Sequence, residues 1–315
     1  MPTTDRPAPW WLTVRFIAEY AVARLMLAMV DLVPLRAAVW LAARVGDIMY
    51  YGAVNRRRIA IANILRSNIT DDPPVAARIA RESFRNFAIM LVETAKSDVI
   101  LSDDRWREHM TYTLDPVIDA VVKAPQQGMI LACCHYGNFE LGGQFLSLFK
   151  PTAGVMRSLS NPFVDQMIKR RFPRVQFRFV AKNDPDMTRF VRILDAGEIL
   201  GLMIDQHGGT RGMVVDFFGH PASTHTAVAL LHLITDKPIC FGYCRRLGLM
   251  RYEIGGVGPF IFKRTGDRQR DIRAILDRLN AELEALIRRD PTQYMWGHRR
   301  WRPEDAARAE RHAER

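Results

Sequence analysis

Long uninterrupted apolar runs are missing from this chain, although 48% of its 315 residues are hydrophobic. The most apolar region, Trp10 to Val54, is broken by Arg15, Glu19 and Arg24 in its first half and by Arg36 and Arg44 in its second. Neither half reaches the roughly 20 consecutive apolar residues of a clear spanning helix. No small-residue cleavage site follows, which argues against a secretory signal. Cysteine is scarce: Cys133, Cys134, Cys240 and Cys244 all lie in apolar, strand-like runs. Adjacent strand residues point to opposite faces, and Cys240 and Cys244 lack a finger spacing. Buried reduced thiols in a cytoplasmic redox setting are therefore expected, with no metal site. There is no Gly-x-Ser-x-Gly nucleophile elbow. Internal repeats, low-complexity segments and the signatures of recognition helices, zinc fingers and RNA-binding modules are absent too.

Acidic residues are in deficit. Lys and Arg number 45 against 34 Asp and Glu, a formal net charge of +11. The excess is clustered at Arg56-Arg57-Arg58, Lys169-Arg170-Arg171, Arg245-Arg246, Lys263-Arg264 and Arg299-Arg300. Such clusters suit an anionic membrane surface or an acidic carrier protein; nucleic acid has only the charge in its favour.

The richest stretch runs from Met129 to Gln144. Met129 to Cys134 reads as a buried strand, Gly137 and Asn138 break it, and Phe139 onward starts a helix. His135 therefore sits where a strand hands over to a turn, the place where open α/β sheets bind ligands. Asn138 is the expected N-cap, which puts Glu140 in the first turn, where exposed amides favour a carboxylate. A base with a near-neutral pKa and an acid five residues on is the outline of a base and its orienting partner. Five residues turn through about 140° of helix, so the pair needs the strand–turn–helix geometry to converge.

Elsewhere, Trp10 to Val54 reads as two helices separated near Asp31–Pro34. Trp10, Trp11, Tyr50 and Tyr51 are interface-favouring residues. An interfacial or re-entrant anchor is expected, with a single span or a soluble helical hairpin as alternatives. Arg56 to Asn68 and Val75 to about Val99 follow as helices. Strands at Thr152–Met156, Gln176–Val180 and Ile199–Ile204 alternate with helices and deliver Arg157 and Asp205 at their ends. That repeat argues for an α/β sheet with its functional edge at the strand C-termini. Gly208 to Gly212 reads as a flexible loop, residues 219 to 226 as a turn into the helix Ala227–Thr235, and Asp271–Arg289 as a one-sided helix. Asp205 is open between orienting Arg157, binding an acceptor and capping a loop.

His135-Tyr-Gly-Asn-Phe-Glu140 resembles the HxxxxD/E block of the glycerolipid acyltransferase superfamily. Arg157-Ser-Leu-Ser-Asn-Pro162, Asp205-Gln-His with Val214 to Ala222, and Tyr294-Met-Trp-Gly-His-Arg-Arg-Trp301 follow in order. The series is similar to the bacterial lipid A lauroyl/myristoyl acyltransferases and to the phosphatidylinositol mannoside acyltransferases, from about Arg56 to Pro303. The resemblance implies one large α/β domain (55–303) with a mixed, mainly parallel sheet flanked by helices. An N-terminal helical membrane anchor (1–54) and a charged tail (304–315) complete it. It implies an O-acyltransferase that needs no cofactor beyond its donor, an acyl carrier protein or coenzyme A thioester. The acceptor would be a glycolipid hydroxyl, and the place the cytoplasmic face of the bacterial inner membrane. His135 would be the base and Glu140 its orienting partner, with Asn138, Arg157, Asn161, Asp205, Arg211, Arg299 and Arg300 binding substrate. Arg157 and the backbone amides after Gly137 would serve the oxyanion, with a phosphate of donor or acceptor as the alternative partner of Arg157. His225 departs from the family's usual small, threonine-rich turn, which leaves the acceptor open. A thioesterase and a non-catalytic lipid-binding scaffold of the same fold are the competing readings.

Overall fold

The computed structural model describes residues 10–102, 105–169, 176–182, 186 and 188–313. The terminus 1–9 and the basic pair at 170–171 lie outside the described residues. Four helices come first: α1 (Trp10–Leu32), α2 (Leu35–Gly52), α3 (Val54–Arg66) and α4 (Pro73–Ala95). Short helices α5 (Ser97–Leu101) and α6 (Trp106–His109) lead into β1 (Met110–Thr113) and α7 (Pro116–Lys123). The alternating core is β2 (Met129–Cys133), α8 (Phe139–Leu146), β3 (Thr152–Met156), α9 (Pro162–Lys169), β4 (Phe177–Ala181), α10 (Thr188–Asp195) and β5 (Ile199–Met203). After β6 (Met213–Phe217), β7 (His220–Thr224) and α11 (Ala227–Thr235) come β8 (Ile239–Gly248), β9 (Arg251–Phe260), α12 (Arg268–Arg289) and α13 (Pro303–Ala313).

Seven strands form one sheet in the order β1-β9-β8-β2-β5-β3-β4. Every neighbouring pair is parallel except β8 with β9, so the sheet is mixed and mainly parallel, as expected. The central strands β2 and β5 are covered on both faces, which is why they read as continuous apolar runs rather than alternating ones. One face presents Ile130, Ala132, Ala153, Leu200, Leu202, Ile239 and Phe241 to the main core, shared with α10, α11 and α12. On α12, Ile272, Ile275, Leu276, Leu279, Leu283, Leu286 and Ile287 are all buried, at about 1.5–3 kcal/mol per side chain. The other face lies under α7 and α8. Leu131, Cys133, Gly154, Gly201, Gly242 and Gly256 line a cavity on that side.

Two expected segments differ. Residues 219 to 226 are not simply a turn: His220–Thr224 is β7, paired antiparallel with β6. The reversal is made by Phe218 and Gly219, both at positive φ (53° and 75°), the backbone of a two-residue hairpin. Glycine at the second position is usual, but phenylalanine at the first hid the signal. The Gly208–Gly212 loop is also tied down. Arg308 of α13 donates to the carbonyls of Gly209, Thr210 and Gly212. Asp305 is fully buried against His207, with its carboxylate 3.1 Å from Nε2.

Candidate active site

The register of β2 against β5 builds the centre of the site. Cys133 pairs with Met203, so two residues further along each strand His135 lies beside Asp205. Asp205 is 3% exposed and holds the histidine at two points. One carboxylate oxygen accepts the His135 backbone N–H at 2.9 Å, and the other lies 2.9 Å from Nδ1. Nδ1 therefore carries the proton facing the carboxylate, and Nε2 is the free basic nitrogen. Burial, the largest influence on the ring, disfavours its cation. The Asp205 charge and hydrogen bond, with a contribution from Glu140, outweigh burial and raise the His135 pKa. The Asp205 carboxyl is held below the usual carboxylate range: burial opposes this, but the facing imidazolium and the His135 amide prevail.

This corrects the expected partnership. The carboxylate on Nδ1 is that of Asp205, and among the described residues no hydrogen bond joins Glu140 to His135. Glu140 stands in the first turn of α8 and lines the cavity. Burial pushes its carboxyl up, against the pull of His135.

The turn that carries His135 is braced at three points. The His135 carbonyl accepts from Met295 N (3.0 Å), Gly137 N donates to the Gln293 carbonyl (3.1 Å) and Asn138 N to the Cys244 carbonyl (2.9 Å). Of the amides after Gly137, that of Asn138 is thus engaged with the backbone and not aimed at an oxyanion. Gly137 has φ +57°, and a Cβ there would stand 2.1 Å from the Cys244 carbonyl oxygen, so this position requires glycine. The 294–301 block, expected to matter for fold or substrate, supports the turn from behind. Asn63 of α3 donates to the carbonyls of Trp296 and His298, and Ser83 of α4 to that of Tyr294.

Of the other expected substrate contacts, Arg157 alone reaches the cavity: it is exposed at the end of β3 and lines the mouth. Asn138 is 0% exposed; its Oδ1 accepts from Leu141 N and Thr94 Oγ1, which makes it the cap of α8. Asn161 caps α9 through Phe163 N and Val164 N and donates to the Phe16 carbonyl and Glu19 of α1. Arg300, 2% exposed, donates to the Ser223 carbonyl and to Thr224 Oγ1 while stacking on Phe217. Arg211 and Arg299 are exposed and lie off the cavity lining. Lys182 lines the mouth with Arg157 and was not anticipated from sequence; its Nζ is 3.2 Å from His225 Nε2.

The cavity measures about 730 Å³ and its lining is mostly hydrocarbon. Leu114, Ile118, Val122, Met129, Leu131 and Leu146 wall it along the strands, with His135, Glu140 and Arg157 at the strand C-terminal end. A base held by a buried acid at the mouth of a deep apolar slot can activate a hydroxyl against the reactive end of a long alkyl chain. Among the described residues there is no cluster of ligands for a metal ion.

The profile of the bacterial lipid A biosynthesis acyltransferases matches residues 11–303. The chain belongs to that family. It is an acyltransferase. A lipid A biosynthesis acyltransferase of Haemophilus influenzae is 27% identical over 260 residues, 79% of each chain. The lipid A biosynthesis palmitoleoyltransferase of Escherichia coli K12 is 24% identical over 230 residues, 71% of this chain and 72% of its own. The lipid A biosynthesis lauroyltransferase of the same strain is 26% identical over 190 residues, 58% of this chain and 60% of its own.

Proposed function

We propose that this acyltransferase moves a fatty acyl chain from an acyl carrier protein or coenzyme A thioester to a hydroxyl of a glycolipid of the lipid A precursor type. The observation that carries the reading is the His135–Asp205 pair opening on the apolar cavity. His135 Nε2 takes the hydroxyl proton, and the oxygen attacks the thioester carbonyl. The tetrahedral oxyanion collapses with loss of the thiolate, which receives the proton from the imidazolium. Asp205 holds the tautomer and stabilises the cation that forms in between. Glu140, in the cavity beside the ring, adds negative charge that favours the same cation. Arg157 and Lys182 meet the oxyanion or the phosphates of the phosphopantetheine arm that both donors carry.

The enzyme works at the cytoplasmic face of the inner membrane. In support, none of the 23 residues of α1 is buried, and Trp10, Trp11, Val14, Ile17, Val22, Leu25, Met26 and Met29 are exposed. No helix among the described residues is long and apolar enough to cross a membrane. An interfacial anchor is therefore the form of attachment proposed.

Acyl transfer from a labelled thioester to a total lipid extract tests the reading with wild type, His135→Ala and Glu140→Ala. A labelled glycolipid formed by wild type and lost in folded His135→Ala, a drop of about 10²–10⁴-fold, is the expected result. Free fatty acid as the sole His135-dependent product would instead establish a thioesterase.

A further inference from the structure

Seven glycines of β3, β5, β8, β9 and α8 line the cavity: Gly142, Gly143, Gly154, Gly201, Gly242, Gly255 and Gly256. Six have a packing reason to be glycine, among them Gly255, where a Cβ would stand 2.3 Å from the Tyr243 ring. A Cβ would stand 2.9 Å from Cys244 Cβ at Gly142, 2.9 Å from the Phe177 ring at Gly143 and 3.2 Å from it at Gly154. At Gly242 it would stand 2.8 Å from Leu131, and at Gly256 3.0 Å from the Phe241 carbonyl. Gly201 has no such neighbour: its Cβ would meet nothing nearer than 3.7 Å. It sits in the middle of β5, in ordinary extended backbone, paired with Leu131 on one side and Gly154 on the other. A glycine inside a central strand weakens it, and is kept where a ligand or another backbone comes close.

We propose that Gly201 sets the length of acyl chain the enzyme accepts. The inference rests on the acyl-transfer reading given above. Leu131, in register with Gly201, lies four strand residues before His135, about 13 Å at strand rise. Carbon–carbon bonds of about 1.5 Å advance an extended chain by roughly 1.25 Å per carbon. A chain whose carbonyl lies at His135 therefore passes Gly201 near its tenth carbon. The lining continues to Met129, six residues from His135 and about 20 Å away, room for roughly sixteen carbons. The missing side chain at position 201 is what lets carbons beyond the tenth pass.

Thioester donors of eight to sixteen carbons, assayed with wild type, Gly201→Ala and Gly201→Leu, test this, with thermal melting in decanoate or palmitate as a second readout. Wild type should use the long donors. Gly201→Leu should lose activity toward fourteen- and sixteen-carbon donors by at least about tenfold relative to ten carbons. Its melting temperature should rise with decanoate but not with palmitate. Gly201→Ala, which has clearance for its Cβ, should melt no lower than wild type and show a smaller shift in the same direction. An unchanged chain-length profile in both variants would overturn the role of Gly201 while leaving acyl transfer intact. If wild type neither transfers acyl groups nor gains stability from fatty acids, the acyl-transfer reading falls as well.

Discussion

At the scale of single residues, the proposed chemistry turns on which carboxylate faces Nδ1 of His135. The histidine and Glu140 were legible because six consecutive residues contain them both. The role of Asp205 was not, although the sequence placed it at a strand end. It lies 70 residues away, and only the parallel register of β2 with β5 brings it alongside. The pH profile follows from this pair. As the proposed base, His135 must be neutral to accept a proton, and its pKa is raised by Asp205 against the effect of burial. Activity should fall as pH drops through that raised value. Burial and nearby cations push His225 and His298 down to about 4, so they stay neutral over the same range and add no limb there. Asp205→Asn removes the charge that raises the histidine pKa, so the acid limb of kcat/KM should move to lower pH. The amide also loses its hold on the tautomer, so the plateau rate should drop by about 10²–10⁴-fold. An acid limb that stays where it was in Asp205→Asn would mean that another group is titrating.

At the scale of elements, the strand–turn–helix unit was readable because its signals are local: a buried run, two breakers and a capping asparagine. Its support was not readable. The contacts come from two distant parts of the chain, Cys244 in one and Gln293 with Met295 in the other, and a sequence pattern does not report them. Asn161 and Arg300 show the same limit from the other side. A polar residue in a family block looks like a substrate contact until the structure shows it fastening α9 to α1, or β7 to the segment after Trp296. The tightest brace gives a quantitative test. Gly137→Ala combines a left-handed backbone with a Cβ 2.1 Å from a carbonyl oxygen, so its cost should exceed the roughly 1–3 kcal/mol of backbone strain alone. Asn138→Ala deletes a helix cap and should cost about 1–2 kcal/mol. Urea unfolding of the two variants should rank them in that order. A Gly137→Ala protein as stable as wild type would show that the turn relaxes freely and is not held by Cys244.

At the scale of the whole molecule, exposed hydrocarbon and positive charge support the proposed attachment to a membrane surface. The second helix continues the apolar surface of the first: Trp40, Leu41, Val45, Ile48 and Tyr51 are exposed, while its buried side meets α4. That inner contact is fixed by Asp47, whose carboxylate accepts from Arg81 and from Arg85 at 2.7 Å each. The outward face is therefore held rigidly to the domain. A hydrophobic face of this extent in contact with water is unfavourable unless something covers it. The proposed lipid interface fits the rest of the molecule, because a net charge of +11 would favour anionic headgroups at about 1 kcal/mol per nearby Lys or Arg. The two contributions separate experimentally. Raising salt should weaken binding to anionic vesicles, since it screens the charges, yet leave a residual fraction bound through the apolar face. Replacing Trp10, Trp11, Leu25 and Met26 with serine should sharply reduce that salt-resistant fraction in a cosedimentation assay. The variant should keep wild-type turnover on a detergent-dispersed acceptor, because these side chains are off the cavity lining. Full vesicle binding by this variant at high salt would remove α1 from the interface and require another surface to meet the lipid.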